Sequence, residues 1–313
     1  GLHAYVLVDK PKWEIEDWKM KNYTSSIPYE WVDFYANNLD EPGKKPILYK
    51  MKEASAYYQR KGDNPRYMQL RLSLKGWKEV RKVMLPKPLP DIFWDEEEWI
   101  EDCMRKDDNS IDEEAIDNFY TTMQWKFLLI GEKNTRMFLH RDKSCSPSWQ
   151  VQLRGRKKWT LCPHTESRFL NVKQDTFSKK MLIDPAFSQA LCGQVTVNPG
   201  ELLYYPGYWW HQTLQLDRPT IAYTGALVGT ETKRDDIGQD KRGHASFLRD
   251  MQRDCGKCWQ RGKKERICDD ISKKWPGAAP PPLRRICDDY LNKCFKLWDQ
   301  HAKFLAKKVG GEL

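Results

Sequence analysis

Eight short strand-like runs follow one another through the middle of the chain: 125–130 (WKFLLI), 137–139 (MFL), 148–153 (SWQVQL), 158–162 (KWTLC), 194–197 (QVTV), 201–205 (ELLYY), 211–216 (HQTLQL) and 220–227 (TIAYTGAL). Gly131, Gly155, Pro199-Gly200 and Pro206-Gly207 punctuate them. Many short strands divided by turn residues restrict the fold to a sandwich or a barrel. The chain has 14 Trp, 14 Tyr and 11 Phe, enough large apolar side chains to fill such a core. No apolar run approaches the roughly 20 residues that span a bilayer.

The flanks read differently. Residues 28–38 (PYEWVDFYANN) are expected to form an amphipathic helix with Pro in its first turn. Residues 67–74 (YMQLRLSL) alternate apolar and polar positions and predict a strand. The run 85–90 (LPKPLP) breaks regular structure, because proline lacks an N–H and restricts its predecessor. From about Asp235 the pattern turns helical and is divided by PGAAPPP at 276–282. Beyond it Leu283, Cys287, Leu291, Cys294, Trp298 and Leu305 recur on one helix face. The expected organisation is an N-terminal mixed helix and strand region (1–84), a strand-rich core (85–228) and a basic, Cys-rich helical tail (229–313).

The tail carries most of the net charge of +9. It suits an acidic partner or nucleic acid, or simply a solvated helical surface. Cys103, Cys145, Cys162 and Cys192 stand singly and read as ordinary small core or surface residues. Cys255, Cys258, Cys268, Cys287 and Cys294 crowd the tail, where disulfides, a zinc site and buried thiols are all open. An Asn-Tyr-Thr sequon begins at Asn22 and, with the clustered cysteines, permits an oxidising compartment.

The chemistry concentrates in His140-Arg141-Asp142. Residues i and i+2 of a strand point to the same face, so an imidazole and a carboxylate project together. His211, at the end of Gly207-Tyr208-Trp209-Trp210, opens a later strand and can join them. Two histidines and one carboxylate on one face of an octahedral Fe(II) leave three positions open, two for a 2-oxoacid and one for O2. A closed structural zinc site takes four ligands instead. An H-x-D alone is a weak motif; its surroundings strengthen it.

Those surroundings are two blocks, FLHRDKSCSPSWQVQLRGRKKWTLCP (138–163) and GELLYYPGYWWHQTLQLDRPTIAYT (200–224), preceded by LPDIFWDEEEW (89–99) and QWKFLLIG (124–131). Over roughly residues 85–228 the sequence resembles the JmjC family of iron- and 2-oxoglutarate-dependent oxygenases, in the cupin superfamily, particularly its lysyl-hydroxylase-like branch. The resemblance implies a double-stranded β-helix, or jelly roll, at the core of an α+β chain. It further implies that His140, Asp142 and His211 hold Fe(II) and form the catalytic centre. Lys157 would pair with the distal carboxylate of 2-oxoglutarate. Thr224, and Gln150 where close relatives carry Asn, would line the co-substrate pocket. Two positions depart from the pattern: Met137 stands where the family often has a hydroxyl, and Ala226 replaces a polar residue. The implied reaction couples oxidative decarboxylation of 2-oxoglutarate to hydroxylation of a protein side chain. N-methyl-lysine demethylation, a JmjC-fold interaction subunit of a larger assembly with a vestigial site, and a cupin using zinc are the other readings. The helical tail would mediate homodimerisation. Trp149, Trp159, Trp209 and Trp210 beside the motifs are expected to be core and pocket walls.

Overall fold

The computed structural model of the chain describes residues 4–7, 25–35, 45–59, 66–84, 101, 104–122, 125–142, 148–172, 174–179 and 184–226. The sequon at Asn22, the 85–90 breaker, the 89–99 segment, Cys103, Cys145 and the whole tail lie outside these residues. In chain order the elements are β1 (Tyr5–Leu7), β2 (Trp31–Tyr35), β3 (Ile47–Lys50), α1 (Met51–Gln59), β4 (Tyr67–Arg71), α2 (Leu74–Met84) and α3 (Glu113–Thr122). Eight more described strands follow α3: β5 (Lys126–Gly131), β6 (Arg136–His140), β7 (Ser148–Arg154), β8 (Lys157–Cys162), β9 (Gly193–Val197), β10 (Leu202–Tyr205), β11 (Trp210–Gln215) and β12 (Thr220–Ala226). These last eight are the eight runs expected from the sequence, with ends shifted by a residue or two.

The strands build two antiparallel sheets. The larger has the order β1-β10-β7-β12-β5-β4-β2-β3, and the smaller β6-β11-β8-β9. Together they form the jelly roll that the resemblance implied. Leu203 and Tyr205 of the large sheet pack with Trp159, Leu161 and Val197 of the small one. The opposite face of the large sheet is apolar and meets α2, where the Trp77 ring lies edge-on to Tyr223 at 6.2 Å. Ser73 starts that helix, its hydroxyl accepting the Gly76 N–H at 2.9 Å as an N-cap. In the compact unit that contains residues 104–122 and Trp125, Phe119 of α3 packs against Trp125 at 5.2 Å.

Two sequence expectations are corrected. The segment 28–38 is not a helix where it is described: Trp31–Tyr35 is strand β2, paired with β3 on one side and β4 on the other. Its residues from Val32 to Tyr35 are all buried. A strand covered on both faces loses the alternation that identifies strands, and its apolar positions then mimic a helical stripe. Trp, Val, Phe and Tyr are also good strand formers. Second, Cys162 and Cys192 are not separate thiols but a disulfide, bridging 30 residues of sequence. The excursion after β8 folds back through two short 3-10 turns, His164–Phe169 and Phe187–Gln189, and returns to the strand end it left.

Candidate metal and co-substrate site

The site sits between the sheets, and its local signature is polarity in the wrong place. Strand β7 alternates Ser148, Gln150 and Gln152 with Trp149, Val151 and Leu153, yet all six are buried. Its polar row faces the small sheet rather than water. Strand β11 likewise buries His211, Thr213 and Gln215. Buried polar rows are costly unless they bond to one another or to a ligand.

His140 ends β6 and His211 lies near the start of β11, directly opposite each other in the antiparallel pairing. Their ring centroids are 4.0 Å apart. Asp142, two residues after His140, returns its carboxylate: Oδ1 lies 3.7 Å from His140 Nε2 and 3.6 Å from His211 Nε2. Each Nδ1 faces a backbone carbonyl two residues back, Phe138 O at 2.8 Å for His140 and Trp209 O at 3.0 Å for His211. A carbonyl only accepts, so each Nδ1 carries the proton and each Nε2 turns a lone pair toward Asp142. Desolvation, with the neighbouring His211, pushes His140 down to about 4, which keeps its imidazole neutral at physiological pH. One ligand atom from each residue lies within 4.8 Å of the others. Among the described residues this is the one group of three His, Cys, Asp or Glu side chains so gathered. The donor set and the oriented lone pairs fit a divalent metal of the iron type.

Sequence reasoning missed the groups behind Asp142. Ser148 Oγ and Tyr205 OH both donate to its Oδ2, at 3.3 and 3.4 Å, leaving Oδ1 to the histidines. Burial and the Asp142 charge raise the Tyr205 phenol well above its ordinary range, so it stays a donor. Its ring also lies 4.7 Å from that of His211, with Trp159 on the same imidazole at 6.0 Å. Tyr205→Phe is expected to weaken metal binding about tenfold, the usual lower cost of losing an outer partner of a metal ligand, while leaving the fold intact. Mn(II) titration of both proteins checks it.

Lys157 begins β8 just after the β7–β8 turn. Gly155 in that turn has φ +64°, and a Cβ there would lie 2.7 Å from the Pro219 carbonyl oxygen. The Lys157 side chain is 1% exposed, and its ammonium donates to Gln150 Oε1 at 2.9 Å. Among the described residues it has no acidic partner, and burial lowers it to about 7. A buried ammonium satisfied only by an amide fits an anionic ligand. Thr224 is the strand partner of Gln150 and shares its face, but its hydroxyl donates to Trp149 O at 2.7 Å. Met137 lies on β6 opposite Thr213, and Ala226 ends β12. Trp159 and Trp210 are buried walls, and the Arg141 guanidinium stacks 4.6 Å over Trp210.

A jelly roll that gathers a His/Asp/His cluster and a buried lysine between its sheets has the architecture of a cupin. Comparison with known proteins agrees: the family model described as the cupin-like domain matches residues 49–224, more than half of the chain. The chain belongs to that family and carries its JmjC type of domain. HSPB1-associated protein 1 of Rattus norvegicus is 32% identical over 108 residues, covering 30% of this chain and 22% of that protein. The 2-oxoglutarate and iron-dependent oxygenase JMJD4 of Mus musculus is 28% identical over 164 residues, 47% of this chain and 34% of that one. Arginine-specific demethylase JMJ20 of Arabidopsis thaliana is 26% identical over 163 residues, again 47% and 34%. The chain thus spans only about a fifth to a third of the length of these relatives. Among the described residues no helix is long and apolar enough to cross a membrane.

Proposed function

We propose that the chain is an Fe(II)- and 2-oxoglutarate-dependent oxygenase that hydroxylates a protein side chain. The observation that carries this reading is the pairing, in one interior, of a metal-type cluster with a buried lysine that lacks an acidic partner among the described residues. A zinc site of structural type would not need the second feature. His140, Asp142 and His211 would hold the iron, with Tyr205 and Ser148 fixing the Asp142 carboxylate. Lys157, braced by Gln150, would neutralise the distal carboxylate of 2-oxoglutarate, and Thr224 would line the same pocket. Bound iron supplies the redox chemistry: O2 takes two electrons from decarboxylation of 2-oxoglutarate and two from a substrate C–H bond, one oxygen atom going to succinate and one to the product. The protein's part is to orient both molecules and keep the interior dry.

The relatives named HSPB1-associated protein 1 support a protein as partner, and those named demethylases support a second reading in which the hydroxylated carbon is an N-methyl group. Succinate formation by the purified chain with Fe(II), ascorbate, O2 and 2-oxoglutarate tests the proposal, beside a His140→Ala control. Turnover lost in the control supports it. Absence of turnover together with absence of metal-dependent 2-oxoglutarate binding overturns it.

A further inference from the structure

The interior holds more unsatisfied donors than the reading above uses. Trp159 Nε1 and Thr213 Oγ1 are both buried without a hydrogen bond, as is the acceptor Gln215 Oε1. They are neighbours by register: Thr213 on β11 stands opposite Trp159 on β8, and Gln215 stands opposite Lys157. The Gln215 amide donates to Tyr67 OH at 3.2 Å, and the Thr213 hydroxyl faces the same phenol. Lys157 Nζ lies 5.9 Å from the Trp159 ring centre. An ammonium, an indole N–H and a hydroxyl are therefore buried at neighbouring register positions of β8 and β11, and the ammonium donates to the Gln150 amide oxygen. A buried donor without an acceptor is costly, so such a cluster calls for an acceptor from outside the chain.

Distance along β11 says which part of the ligand arrives there. Thr213 is two residues beyond His211 on the same face, a step of roughly 7 Å. That matches the reach of a five-carbon diacid whose other end sits at the metal. On β6 the position opposite Thr213 is Met137, which has no hydroxyl to give.

We propose that Thr213 is a direct ligand of the distal carboxylate of 2-oxoglutarate, its hydroxyl donating from β11 beside the Lys157 ammonium, where Met137 on β6 offers none. The proposal rests on the co-substrate reading above and adds a residue to it.

The test is anaerobic calorimetry on the Mn(II)-loaded full chain, with two probes. 2-Oxoglutarate reaches both ends of the pocket, whereas oxalate binds the metal and has no distal carboxylate. Thr213→Val keeps the shape and removes the hydroxyl. The expected result is a loss of about tenfold in 2-oxoglutarate affinity, the lower end for a hydrogen bond to a charged group, with oxalate affinity unchanged and Thr213→Ser close to wild type. Equal 2-oxoglutarate affinity in the Val variant overturns the proposal. So does a parallel loss of both probes, which marks a structural role. If the Val variant does not fold, Thr213→Ala is read by the same two probes. Failure of the wild-type protein itself to bind 2-oxoglutarate sinks the underlying reading instead, and is a separate result.

Discussion

Alanine at His211 is expected to weaken Mn(II) or Fe(II) binding by more than about 100-fold and to remove 2-oxoglutarate turnover with it. Losing an outer partner of a metal ligand costs about 10- to 100-fold in affinity, so losing the ligand itself exceeds the top of that range. His211 is the right residue to remove because its side chain is held from every side. Trp209 O fixes its tautomer, Tyr205 and Trp159 flank its ring, and the strand places it opposite His140. The protein should still fold, since β11 keeps its pairing with both β6 and β8. Electron paramagnetic resonance of added Mn(II), with circular dichroism as the folding control, separates the outcomes. Metal affinity within a few-fold of wild type would remove His211 from the site.

The second large effect is expected at Lys157. Lys157→Met keeps a long apolar stem and removes the charge, and should weaken 2-oxoglutarate binding by about 100-fold with metal affinity unchanged. The wild-type protein carries a pH signature that the variant lacks. Burial lowers the Lys157 ammonium to about 7, so above that pH the free protein holds a neutral amine. Binding an anion then requires a proton from solvent. Affinity for 2-oxoglutarate should be flat below pH 7 and fall about tenfold per unit above it, and the Met variant should show no such slope. Stability runs the other way. The folded value lies below the unfolded 10.5, so between about 7 and 10.5 the unfolded chain binds more protons and the wild type gains stability as pH rises. That gain is absent at low pH, where the charged ammonium is buried against cost. Calorimetric titrations in buffers of different ionisation enthalpy read the proton uptake directly. Lack of uptake at pH 8 would show that Lys157 does not meet the anion.

Much of the core is legible in the sequence. The eight runs from 125 to 227 became β5 to β12 because short alternating segments separated by Gly and Pro leave few other arrangements. His140 and Asp142 could be paired as candidates from their i, i+2 spacing, although β6 ends at His140 and Asp142 lies just beyond the strand. The same rule failed at β2, where two neighbouring strands bury both faces and erase the period. The polar row of β7 was the overlooked signal: Ser148, Gln150 and Gln152 alternate as if facing water, and only the second sheet shows that they line an interior.

Local chemistry therefore set the strand positions and the H-x-D pair as candidates, because each depends on spacing within a few residues, and the family resemblance added the distant His211. Contacts across the sandwich lay beyond it. The Tyr205 and Ser148 bonds to Asp142, the Lys157 bond to Gln150 and the Cys162–Cys192 bridge join segments through sheet packing. No periodicity encodes how one sheet lies over another. That arrangement follows from burying two apolar surfaces at once, and it brings the glutamines of β7 and a lone lysine into one buried polar interior.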